Sequence, residues 1–111
     1  MLPSIYECGG AVVLEAMASG KPVIATRWGG PADYLDESCG ILIDPDGPEA
    51  LIAGFAKAME TLMASPQLCA SLGAAGRQRV VRDFDWEKKV DRILQIYESV
   101  APELAVVQPA L

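Results

Sequence analysis

Glu7 and Glu15 are separated by seven residues in the stretch ECGGAVVLE, and a glycine pair, Gly9-Gly10, lies between them. Glycines that open a helix leave its first N–H groups without intrahelical acceptors, with the positive end of the helix dipole behind them. That arrangement suits an anion, most often a phosphate. Carboxylates next to such a place add nothing to anion binding, but they can hold hydroxyl groups. Five residues separate Gly10 from Glu15, about 7.5 Å along a helix, which is near the spacing of a phosphate and its own ribose. A carboxylate at that distance can accept hydrogen bonds from a ribose diol, as the acidic residue of dinucleotide folds does for one hydroxyl.

Plainer readings stand beside this one. Glu15 interrupts an otherwise apolar helix, AVVLEAMA. An unpartnered polar group buried there would cost roughly 2–7 kcal/mol, so Glu15 is paired with Lys21 or Arg27, sits on a wet stripe, or faces a ligand. Glu7 precedes a helix start, where an acid is favoured by about 0.3–1 kcal/mol without any function. Gly9-Gly10 can be a turn and cap, and Cys8 is either a thiol activated by the helix end or a spectator. A second pair, Gly29-Gly30, follows an apolar strand at the end where open α/β sheets place ligands. It also fits a turn in which Gly30 caps a helix beginning at Pro31. Thr26 and Arg27 share that strand end, and Arg27 could face a phosphate.

The elements that must position these residues can be taken in order. Met1–Tyr6 has no periodicity and reads as a loop continuing to Gly10. A helix from about Ala11 to Ser19 is ended by Gly20, with Pro22 beyond. Pro22–Thr26 is β-branched and apolar, a buried strand. A short helix, Pro31–Leu35, leads to a second buried strand, Gly40–Ile43, closed by the turn Asp44–Gly47. About 14 residues between the strands suit a parallel crossover rather than a tight hairpin. A helix from Pro48 to about Ala64 places Leu51, Ile52, Phe55, Met59, Leu62 and Met63 on one face. Ser65 caps a helix from Pro66 to about Arg82, whose Arg77, Arg79 and Arg82 read as surface charge. Asp85 caps a last helix with Trp86, Val90, Ile93, Leu94 and Tyr97 at helical spacing, Trp86 and Tyr97 being expected in the core. Residues 1–101 then form one unit and 102–111 a loosely held tail.

Composition narrows the function classes. The 111 residues carry a net charge of −6 with 9 Lys+Arg, which argues against nucleic acid as a partner. No run is apolar enough to span a membrane, and no signal peptide is evident. There is no histidine, which removes Ser/His/Asp chemistry and histidine-based metal sites. The three cysteines, Cys8, Cys39 and Cys69, have no metal-ligand spacing and read as reduced thiols. Two parallel strands buried on both faces need neighbours. The expected fold class is therefore α/β, a partial doubly wound (Rossmann-like) parallel sheet with flanking helices, the later part of a larger domain.

The combined pattern resembles the donor-binding domain of retaining glycosyltransferases with the GT-B fold, family 4. The resemblance rests on Pro3-Ser4, Glu7 and Glu15 with seven residues between, Gly10, Glu15-Ala16-Met17-Ala18, Gly20-Lys21-Pro22-Val23, Gly29-Gly30 and Gly40 to Pro45. It continues through Leu72-Gly73, Gly76-Arg77, Phe84 and Trp86. It implies sugar transfer from a nucleotide-sugar donor to an acceptor with retention of configuration, without a cofactor or an essential metal. In that scheme Glu7 is the catalytic-site acid at the transferred sugar. The amides of Gly9, Gly10 and Ala11 approach the diphosphate, and Glu15 holds the ribose. Ser4, Thr26, Arg27, Gly29 and Gly30 are the near-site candidates. Cys8-Gly9 departs from the Pro-Phe common in the family, which bears on sugar preference.

The resemblance also implies an acceptor-binding N-terminal domain and an Arg/Lys pair for the diphosphate, neither of which precedes Met1. The expectation is a C-terminal portion of such an enzyme, inactive alone, whose partners are a nucleotide-sugar, an acceptor and that missing domain. Its expected location is cytoplasmic, with any membrane attachment supplied by parts outside the chain. Two other readings remain: a non-catalytic nucleotide-sugar-binding module, and a small subunit completing a partner's sheet.

Overall fold

The computed structural model describes residues 1–101; the expected tail, 102–111, lies outside the described residues. The elements are α1 (Ala11–Ala18), β1 (Ile24–Thr26), α2 (Gly30–Tyr34), β2 (Ile41–Ile43), α3 (Pro48–Ala64), α4 (Pro66–Asp83) and α5 (Trp86–Val100). β1 and β2 pair in parallel, Ile24 opposite Ile41 and Thr26 opposite Ile43, with α2 in the crossover. Both strands are shorter than expected, and β2 is half-buried where full burial was anticipated. The N-terminal segment is not all loop. Leu2 pairs in parallel with Ala25: its amide donates to the Ile24 carbonyl at 2.9 Å, and its carbonyl accepts from Thr26 at 3.1 Å. β1 is thus the middle of three aligned segments.

Strand alternation sends Val23 and Ala25 to one face and Ile24 to the other. On the first face they pack with Val13 and Met17 of α1, Leu35 and Cys39. On the second, Ile24 packs with Phe55 and Ala58 of α3. Helices on both faces of a parallel sheet give the doubly wound arrangement expected from the strand spacing. Full burial of an apolar side chain such as Met17 contributes about 1.5–3 kcal/mol.

α1 ends where its sequence says it should. Gly20 adopts φ 66°, its amide donating to Met17 O at 2.9 Å while Lys21 N donates to Ala16 O at 3.0 Å. α4 then crosses α1 at closest range through Gly73, where a Cβ would stand 2.2 Å from the Gly20 carbonyl oxygen. Arg77 is more than surface charge: its guanidinium donates to Ala18 O at 2.5 Å, satisfying an orphan carbonyl of the α1 terminus. Arg79 pairs with Asp36.

Three packing expectations are corrected. α1 is apolar in sequence but not buried all round, because α2, α4 and the sheet cover only the side of Val13 and Met17. On α3, Phe55 is buried and Leu51 and Leu62 pack beside it, but Ile52 is 70% exposed, and Met59 and Met63 are also exposed. A single sheet face accommodates only part of so wide a stripe. α5 has no buried residue; Trp86 is 78% and Tyr97 65% exposed, and the helix touches its neighbours near its start, where Lys88 donates to the Val81 carbonyl and Lys89 lies over the Phe84 ring.

Candidate functional site

The segment before α1 is folded back on itself. Gly10 takes a left-handed conformation, φ 59° and ψ 38°, and caps α1. Its amide donates to Glu7 Oε1 at 2.9 Å, and its carbonyl accepts from Val13 N at 2.8 Å. The Glu7 carboxylate therefore sits at the helix start with one oxygen engaged. The Ala11 and Val12 amides next to it have no acceptor among the described residues. Glu7 is half-buried, Gly9 exposed and Gly10 buried.

Glu15 is exposed, on the face it shares with Ala11 and Ser19. Neither Lys21 nor Arg27 pairs with it among the described residues. Of the alternatives open from sequence, the salt bridge is not formed, and exposure fits both the wet stripe and the ligand-facing reading. Glu7, the open amides and Glu15 occur in that order along one helix start, carboxylate, donors, carboxylate. Donors at the positive end of a helix can hold a diphosphate, and acceptors on either side can hold hydroxyls.

Gly29-Gly30 meets this loop by backbone. The Gly30 amide donates to Cys8 O at 3.1 Å, and Pro31 stacks its ring on Gly10. Thr26 is 1% exposed, and its Oγ1 has no partner among the described residues. Ser4 is half-buried on the way to Glu7. Arg27 is half-exposed, and its Nε donates to Asp44 at 2.7 Å, which ties the exits of β1 and β2 together. Cys8 is an exposed free thiol; Cys39 is buried and Cys69 half-buried, both also free.

Two features of this region escaped sequence reasoning. Tyr6 and Trp28 form an edge-to-face pair with ring centres 6.0 Å apart. They border a cavity of about 330 Å³ walled by Leu51, Pro3, Pro45 and Pro48. The signal available was only that each aromatic precedes a candidate residue, Glu7 or Gly29. The Asp36–Arg79 pair likewise joins residues distant in sequence. Ser38 donates to Asp36 from its hydroxyl and amide, and with the Arg79 guanidinium this holds the Asp36 carboxyl down to about 2 despite opposing burial.

Residues 1–79 match the family described as glycosyl transferases group 1. The chain belongs to this family. It is 38% identical over 102 residues to the alpha-maltose-1-phosphate synthase of Mycolicibacterium smegmatis, covering 89% of this chain and 26% of that protein. It is 35% identical over 95 residues to the sucrose synthase of Acidithiobacillus caldus, covering 85% of this chain and 12% of that one. Among solved structures, the sucrose-phosphate synthase of Thermosynechococcus elongatus superposes with a TM-score of 0.75 at 37% identity, over 88% of this chain and 24% of that one. The expected family and the partial Rossmann-like GT-B fold are therefore those of the group 1 chain itself. The chain spans about a quarter or less of these proteins' length. No described helix is long and apolar enough to cross a membrane.

Proposed function

We propose that Glu7–Glu15 forms part of the donor site of a retaining sugar transferase that uses a nucleoside-diphosphate sugar. The observation that carries this is the geometry of the α1 start: a Glu7-capped, left-handed Gly10, open amides at Ala11 and Val12, and an unpaired Glu15 on the exposed face. The amides hold the diphosphate and stabilise the charge that develops on it as the glycosidic bond to phosphate breaks. Glu15 accepts the ribose hydroxyls. Glu7 spends Oε1 on Gly10 and offers Oε2 to a hydroxyl of the transferred sugar, orienting it toward the acceptor. No metal or cofactor enters this scheme, and its setting is cytoplasmic.

With Arg27 sharing its charge with Asp44, further cations that balance the leaving diphosphate come from outside this chain, as do the acceptor contacts. The chain by itself therefore does not turn over. The test is release of nucleoside diphosphate from UDP-, GDP- and ADP-sugars by the longer protein carrying these residues, with Glu7→Gln alongside, and by the isolated chain. Release by the longer protein, lost in Glu7→Gln and absent from the isolated chain, is the expected result. Turnover by the isolated chain overturns the incompleteness, and unimpaired turnover in Glu7→Gln overturns the role of Glu7.

A further inference from the structure

The loop bearing Glu7 rests on the Gly29–Gly30 loop with no side chain between them. A Cβ on Gly29 would stand 1.8 Å from the Glu7 carbonyl oxygen. One on Gly30 would stand 2.2 Å from the Gly9 oxygen and 3.1 Å from the Cys8 oxygen, the same Cys8 oxygen that accepts from the Gly30 amide. Real Cβ atoms essentially never come within 3.0 Å of another heavy atom. Gly29 also needs glycine for its φ of 55°, but Gly30 has no left-handed angle. The requirement at Gly30 is contact alone. Pro31 completes the bed, its ring carbons 3.0 Å from where a Cβ on Gly10 would lie.

We propose that Gly29, Gly30 and Pro31 are positioning residues, a backbone mould that sets the Glu7 carboxylate and the Gly10 amide rather than a surface that touches the donor. The three peptide carbonyls of Glu7, Cys8 and Gly9 are all fixed by this contact, and the carboxylate hangs from the first of them. A methyl at position 30 must push the Gly9–Gly10 peptide, which carries the Gly10 amide, away by about 1 Å. A misplacement of that size costs on the order of 100-fold in rate. Glu15, on the opposite side of Gly10 and anchored by the packing of α1, is left in place. The proposal rests on the reading of Glu7 as the sugar-side carboxylate.

The experiment compares Gly30→Ala with Gly73→Ala in the longer protein. Gly73→Ala makes a collision of the same size, 2.2 Å from the Gly20 oxygen, but at the α4–α1 crossing. Three quantities are read: turnover of the nucleotide-sugar that the wild type uses, affinity for the nucleoside diphosphate, and hydrogen exchange of the Gly10 amide. The expected result for Gly30→Ala is kcat about 100-fold lower, a diphosphate affinity lowered far less than kcat, and faster Gly10 exchange, while Gly73→Ala lowers stability and keeps kcat. A folded Gly30→Ala with wild-type kcat and exchange overturns the proposal, as does an equal kcat loss in Gly73→Ala. Where Gly30→Ala does not fold, Pro31→Ala, which removes bulk instead of adding it, carries the test. Faster Gly10 exchange and lower kcat support the proposal, and no change in either refutes it. A wild type that binds no nucleoside diphosphate tells against the donor-site reading, whereas Gly10 exchange still reads the mould.

Discussion

The Gly10 amide donates to the Glu7 carboxylate at 2.9 Å, so the residue assigned to the sugar is also the one that closes the helix start. This gives Glu7 two separable properties, an acceptor oxygen for the backbone and a negative charge for the ligand. Glu7→Gln keeps an acceptor and loses the charge, whereas Glu7→Ala loses both. Denaturant unfolding should show Glu7→Gln lower by about 0.3–1 kcal/mol, the worth of an acid at a helix start, and Glu7→Ala lower by about 1 kcal/mol more, the net worth of one hydrogen bond. Turnover should fall sharply in both. Equal stability of the two variants would separate the carboxylate from the cap.

Asp36 makes a pH-dependent contribution with a definite sign. Its folded carboxyl lies at about 2, held there first by Ser38 and then by Arg79, against about 3.9 in an unfolded chain. A lowered folded value stabilises above the unfolded one, and the gain disappears as pH falls from about 4 through 2. The Asp36 side chain is half exposed, so solvent screening keeps the effect small. The stability difference between wild type and Asp36→Asn should be largest above pH 4 and shrink toward pH 2. A difference that stays constant over that range would remove Asp36 as its source.

Gly73→Ala should destabilise the fold without touching the Glu7 loop. The added methyl would meet the Gly20 carbonyl, a rigid backbone atom at a helix end, and overpacking of this kind costs typically about 1–3 kcal/mol. Chemical denaturation reads the loss directly. Wild-type stability would mean that α4 shifts freely along α1.

Local punctuation was legible in the sequence. Gly20 ends α1 in a left-handed conformation, and Ser65 and Asp85 cap α4 and α5 with their own side chains, because each needs only one residue and its immediate neighbours. The parallel pairing followed from the length of the crossover, and Glu7, Gly10 and Glu15 were visible as a spacing. What was hidden depends on partners distant in the chain. Nothing near Leu2 announces that it pairs with β1, nor anything near Arg27 that it pairs with Asp44. The glycine mould is equally hidden, since Gly29-Gly30 looks like an ordinary turn until the Glu7–Gly9 backbone is laid against it. Periodicity misled on α3 and α5, where an apolar stripe shows that a face can be covered but not that a described element covers it.

In the proposed donor site Glu15 holds the ribose of a bound nucleotide from the exposed face of α1. Calorimetric titration of UDP, GDP and ADP into the longer protein, wild type and Glu15→Ala, tests it most directly. Hydrogen bonds to a charged group contribute about 1.5–3 kcal/mol, so the preferred nucleotide should bind roughly 10–100-fold more weakly to Glu15→Ala, with unfolding stability unchanged. Equal affinity in the two proteins would contradict the account and leave Glu15 a solvated residue on a wet helix face.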